Sequence, residues 1–157
     1  MRPIASSILL VLATALAPAA CGPDKTPAPP SPTTAVDSKW AEDVGDVPFV
    51  IGLAAGTKAV AATGRPPMYY FTTTWCGYCR QLAQTGFKDA DAVARIKANY
   101  TPILLDGDDP ANSSLSWKYK VQGYPTIVFA DKSGAALDVV VGADVARFKN
   151  VLARLAP

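Results

Sequence analysis

An α/β fold, with a central mixed sheet and helices on both of its faces, is what this sequence predicts, and three observations point to it. Met68-Tyr69-Tyr70-Phe71 is a short run, wholly apolar or aromatic, as expected of a central strand covered on both sides. It hands over to an apparent helix that carries Cys76-Gly77-Tyr78-Cys79. Further on, two β-type runs flank Asp131-Lys132-Ser133-Gly134, the pattern of an antiparallel hairpin, and an amphipathic helix closes the chain. A strand–helix–strand half followed by a hairpin and a helix is satisfied by a mixed sheet between helical layers.

The elements follow in order. Arg2 is a minimal positive start, residues 4–17 are apolar, and small residues come next at Ala17-Pro18-Ala19-Ala20-Cys21. That is the layout of a signal peptide over residues 1–20, and the apolar stretch falls short of the roughly 20 residues a membrane span needs. Residues 21–36 are rich in proline and read as an extended linker. The globular domain is expected over 37–157, with Trp40, Val44 and Val47 packing on it. Residues 49–63 are Ala-rich and read as helix over much of their length, stopped by Gly64 and Pro66-Pro67. After the strand at 68–71, one helix is expected to run through Cys79 to Gly86, with Leu82 and Ala83 facing the core. A second is expected over 89–98, capped by Asp89. Residues 103–105 form a strand, 106–110 an acidic loop, and 111–119 a short helix in which Trp117 and Tyr119 pack. The hairpin pairs 126–130 with 137–141. The last helix starts at Asp144 and lines Val145, Phe148, Leu152 and Leu155 along one face.

Composition removes several classes of function. The chain has no histidine, which excludes imidazole catalysis and imidazole metal ligands. Its net charge of +2 gives no electrostatic case for nucleic acid. Asp106, Asp108 and Asp109 lack the spacing of a calcium loop and read as solvated. The cysteine pair at a strand-to-helix junction is the chemical feature. A helix N-terminus favours a thiolate, so Cys76 is expected to be the exposed nucleophile and Cys79, one turn in, the shielded resolving thiol. With two cysteines and no histidine a structural zinc site is short of ligands, so no metal is expected. Copper(I) held by two thiolates remains an alternative, as part of a binding module without catalysis.

Ala19-Ala20-Cys21 resembles the lipobox of bacterial lipoproteins, although Pro18 stands where that pattern prefers leucine. The resemblance implies lipidation of Cys21 and a membrane anchor; ordinary cleavage would leave Cys21 a free thiol. Trp75-Cys76-Gly77-Tyr78-Cys79, then Gly123-Tyr124-Pro125-Thr126 opening the hairpin, then the terminal helix, resemble the thioredoxin fold over residues 40–156. Within it, the chain is similar to small exported thioredoxin-like proteins related to the C-terminal domain of DsbD. The resemblance implies thiol–disulfide exchange with protein substrates, no cofactor, and a membrane or periplasmic redox partner. It also implies a monomer on the periplasmic side of the cell envelope. Trp75, Gly77, Tyr78, Tyr124 and Pro125 would contact substrate, with Pro125 in the cis form beside the cysteines. One departure bears on direction. Tyr70 occupies the position, six residues before the first cysteine, where thioredoxin-type reductants carry a buried Asp; the carboxylates nearest in sequence are Asp89 and Asp91.

Overall fold

A computed structural model describes residues 38–156. The expected signal peptide, Cys21 and the expected Pro-rich linker lie outside them. Five strands, β1 (Val50–Ile51), β2 (Pro67–Thr72), β3 (Thr101–Asp106), β4 (Thr126–Ala130) and β5 (Ala136–Val141), form one sheet in the order β1-β3-β2-β4-β5. β1 and β2 run parallel to β3, whereas β4 is antiparallel to both β2 and β5. The helices are α1 (Leu53–Thr63), α2 (Gly77–Gln84), α3 (Ala90–Asn99), α4 (Ser113–Lys118) and α5 (Val145–Leu155).

Strand alternation builds two cores. On one face Met68, Tyr70, Leu104, Ile127 and Phe129 meet Leu82 and Ala83 of α2, Val93 and Ile96 of α3, and Phe148 and Leu152 of α5. On the other, Phe71, Ile103, Leu105 and Val128 meet Leu53 and Val60 of α1 and Leu115 of α4. Helices therefore cover both faces, as the sequence predicts. Caps fix the helix starts: Asp89 accepts from the Ala92 N–H at 3.0 Å and Asp144 from the Arg147 N–H at 2.9 Å.

Two boundaries differ from expectation. The helix expected over much of residues 49–63 occupies Leu53–Thr63, and the start of that range forms an unexpected strand, because Val50 and Ile51 pair with Ile103 and Leu104 as β1. The helix expected through Gly86 ends at Gln84 and passes into a short helical turn, Gly86–Lys88. That turn drives Phe87 into an aromatic cluster with Phe49, Tyr70 and Phe148, with ring centroids 5.0–5.6 Å from Phe87. Such pairs add about 0.5–1.5 kcal/mol each beyond their buried area.

Ahead of β1, residues 38–49 form a strap along α2. Trp40, Val44, Val47 and Phe49 are all buried in the core that also holds both cysteines of the pair. The Asp46 N–H donates to the Phe87 carbonyl at 2.8 Å, and Glu42 lies 3.9 Å from Arg80.

Candidate active site

Strand β2 ends at Thr72, and three residues later the chain turns into α2 with Cys76 as its N-cap. The Cys76 sulfur accepts a hydrogen bond from the Cys79 N–H at 3.1 Å, one of the backbone donors that a helix start leaves unpaired. The two cysteines are joined by a disulfide, with Cα atoms 5.2 Å apart. Cys79 is fully buried, as expected. Cys76 is 4% exposed, so the expectation of an exposed nucleophile is corrected: in the disulfide form it is almost completely buried in the same core cluster as Cys79, and only the order of accessibility holds.

Phe71 of β2 pairs with Thr126 of β4, so Pro125 and the cysteine loop emerge from the same end of the sheet. The Tyr124–Pro125 peptide is cis, the form that the sequence resemblance implies. Trp75 stands beside it, 65% exposed, its ring edge-on to Tyr124 with centroids 6.0 Å apart. Trp75 Nε1 donates to Asp108 Oδ2 at 2.8 Å, and the Tyr124 hydroxyl donates to the Gly107 carbonyl at 3.1 Å. Gly107 admits this arrangement, since a Cβ there would lie 2.2 Å from the Tyr124 ring. Burial, with Asp108 and Asp106 nearby, raises the Tyr124 phenol above its ordinary 10, so it stays a neutral donor. Gly77 is the first residue of α2, and the Tyr78 ring is exposed next to the disulfide.

Sequence reasoning missed part of this surface. Asp108 is not simply solvated, because it orients Trp75. Asp106 pairs with Lys39 at 2.7 Å, and Asp109 accepts from the Ala111 N–H at 2.9 Å. Trp117, expected to pack, is 83% exposed, while Tyr119 is buried as expected. Helix α4 is only six residues long, and it turns Trp117 toward a cleft of about 500 Å³ lined also by Asp108, Pro110, Ser116, Val121 and Tyr124. Arg80, one turn beyond Cys76, donates to the Thr74 carbonyl at 3.0 Å and so holds a positive charge near the cysteine loop. Asp89 and Asp91 are engaged elsewhere, with Lys149 and Arg95.

A family profile described as a thioredoxin-like domain matches residues 53–156. The chain belongs to the thioredoxin-like family. This thioredoxin-like protein is 33% identical over 95 residues to the protein disulfide-isomerase erp38 of Neurospora crassa, covering 60% of this chain and 25% of that protein. It is 31% identical over 93 residues to mitochondrial thioredoxin O1 of Arabidopsis thaliana, covering 57% of this chain and 44% of that one. A thioredoxin from Thermus thermophilus superposes with a TM-score of 0.58 at 28% identity, covering 68% of this chain and 86% of that chain. The aligned region spans 13–25% of the length of three protein disulfide-isomerases it matches. Residues 38–52, the strap and β1 among them, precede the family match.

Proposed function

We propose that this protein is an exported thiol–disulfide oxidoreductase that reduces disulfides in other proteins, held by a lipid on Cys21 to the periplasmic side of the cell envelope. One observation carries the chemistry: a cysteine pair closed across a helix N-terminus, at the same end of the sheet as Tyr124-Pro125. The export and anchor rest on residues 1–21 of the sequence. Protein disulfide-isomerases and thioredoxins among its relatives support the reaction class.

In the dithiol form, the N–H groups at the start of α2 and the positive end of its dipole favour the Cys76 thiolate. Its sulfur attacks a substrate disulfide, forming a mixed disulfide and releasing one substrate thiolate. An extended substrate segment lies against Trp75 and the Tyr124 backbone, adding a strand-like contact beside the sulfurs. Cys79 then attacks Cys76, restoring the internal disulfide and freeing the second substrate sulfur. A membrane or periplasmic redox partner returns the pair to the dithiol. Each pKa unit by which the site acidifies Cys76 moves the couple about 30 mV toward oxidant, so the site sets direction more than speed. The test is insulin reduction by dithiothreitol, which the protein accelerates and the Cys76→Ser variant does not. Equilibration with glutathione should give a potential nearer about −270 mV than about −120 mV. No acceleration over dithiothreitol alone overturns the proposal.

A further inference from the structure

An exposed indole such as that of Trp75 keeps several rotamers open unless something holds it. A substrate that must fix the ring as it docks gives up part of its binding free energy to do so. In this chain the hold on Trp75 can be followed back to the core. The Trp75 indole N–H donates to Asp108 Oδ2 at 2.8 Å, and the Asp108 backbone N–H donates to Asp106 Oδ1 at 3.0 Å. The other oxygen of Asp106, Oδ2, accepts from the Lys39 ammonium at 2.7 Å. Lys39 Nζ also lies 4.7 Å from the centroid of the Trp40 ring, and Trp40 is buried in the core cluster that holds both cysteines. A series of contacts thus runs from that core through Trp40, Lys39, Asp106 and Asp108 to the ring next to Cys76.

Asp106 is the hub of the loop that follows β3. Its carboxylate shapes the turn at Asp108, and its carbonyl accepts from the Asn112 side-chain amide at 2.9 Å and from the Asp109 N–H at 3.3 Å. The same loop holds the second aromatic ring of the surface. The Gly107 carbonyl accepts from the Tyr124 hydroxyl at 3.1 Å, and the Gly107 N–H donates to the Thr72 carbonyl at 2.8 Å. One loop therefore fixes both Trp75 and Tyr124, and Lys39 joins that loop to the strap. Lys39 precedes the part of the chain that matches the thioredoxin-like profile, so this anchor belongs to the N-terminal strap and not to the matched domain.

We propose that Lys39 is a positioning residue: its ion pair with Asp106 holds residues 106–109 so that Trp75 and Tyr124 are set for a protein substrate before it docks. This deepens the proposed function and rests on it. Lys39 acts through Asp106 and Asp108, not on the sulfurs. Its side chain is half-exposed, which keeps the effect modest, since exposed pairs contribute at most about a fivefold factor. The place of the ammonium over the buried Trp40 ring lowers the freedom lost in making the pair.

The test mixes the full-length reduced protein with insulin and, separately, with bis(2-hydroxyethyl) disulfide, which has no ring or peptide backbone to lay against the two aromatic residues. Loss of protein thiols is followed by quenched alkylation. In Lys39→Met the rate constant with insulin, divided by that with the small disulfide, is expected to fall about fivefold. Lys39→Arg keeps the charge and should restore most of the ratio. Asp106→Asn should match Lys39→Met, and the double variant should lose no more than either single one, because both remove the same pair. A general loss of stability would not give the accompanying signature in the nitrogen NMR spectrum. The Trp75 indole N–H, identified by its absence in Trp75→Phe, should exchange with water faster in Lys39→Met, while that of Trp117 is unchanged. If Lys39→Met does not fold, Asp106→Asn carries the same two readings. An unchanged ratio, or an unchanged exchange of the Trp75 indole, overturns the proposal. If the unaltered protein exchanges with neither disulfide, the proposed activity fails instead, and the indole alone then decides the positioning: faster exchange in Lys39→Met supports it, and unchanged exchange overturns it.

Discussion

Replacing Gly45 by alanine should detach the strap from α2. Gly45 has φ +53, in the left-handed region, where a side chain costs about 1 kcal/mol or more. Its added Cβ would lie 2.6 Å from the Ala83 carbonyl oxygen and 2.8 Å from the Phe87 Cβ and carbonyl oxygen. These are backbone and near-backbone atoms that cannot swing aside, so the strap must move. The next hydrogen bond along, Asp46 N–H to the Phe87 carbonyl at 2.8 Å, is then stretched or lost, at about 1 kcal/mol. Partial exposure of Trp40 and Val44 adds to this at about 25 cal/mol per Å² of apolar surface. The total is about 2–4 kcal/mol, read as a lower urea midpoint. In the reduced variant Cys79 should also alkylate faster, because the strap covers the back of the site. Gly123→Ala is the control, since its Cβ meets nothing within 4 Å, and it should change stability by less than about 0.5 kcal/mol. A loss below about 1 kcal/mol for Gly45→Ala, with unchanged Cys79 alkylation, refutes the placement of the strap.

Asp43 also gives stability a pH dependence of unusual sign. Its carboxyl is held above 3.8 in the folded protein, so the folded form binds that proton more tightly than the unfolded chain. The contribution is fully present below about pH 3.8 and is lost as pH rises through the raised value; Asp43→Asn should remove this decline from urea midpoints measured across pH. Asp89 and Asp131, both lowered by hydrogen bonds to their carboxylates, act oppositely, and their contribution disappears as pH falls. Phe148→Ala should cost about 3–5 kcal/mol, because Phe148 is fully buried against Phe87 and Phe129. Trp117→Ala should leave the urea midpoint within about 0.5 kcal/mol, because the side chain is 83% exposed. Asp144→Ala removes the cap of α5 and should cost about 1 kcal/mol by thermal or urea unfolding.

The layered architecture was legible because its signals are local. The aromatic strand, the hairpin turn, the Asp caps and the apolar stripe on α5 each depend on residues close in sequence. β1 was not legible, since Val50 and Ile51 carry no periodicity and become a strand only by pairing with Ile103 and Leu104. The cysteine pair and Tyr124-Pro125 were readable as motifs, but what surrounds them is tertiary. Asp43 is buried because the strap folds back along α2, and no spacing in the sequence announces that. Asp108 became a partner of Trp75 through a loop crossing from β3. Trp117 looked like a core residue from its type alone; the shortness of α4 leaves its side chain outside.

The most direct measurement is a trapping experiment on the reduced Cys79→Ser variant with a disulfide-containing protein substrate. Mass spectrometry should find the substrate joined covalently to Cys76, while the matching Cys76→Ser variant gives little adduct on the buried Cys79. Equal trapping by both variants, or none by Cys79→Ser under conditions where the wild type reduces the substrate, would contradict the assignment of Cys76 as the attacking sulfur.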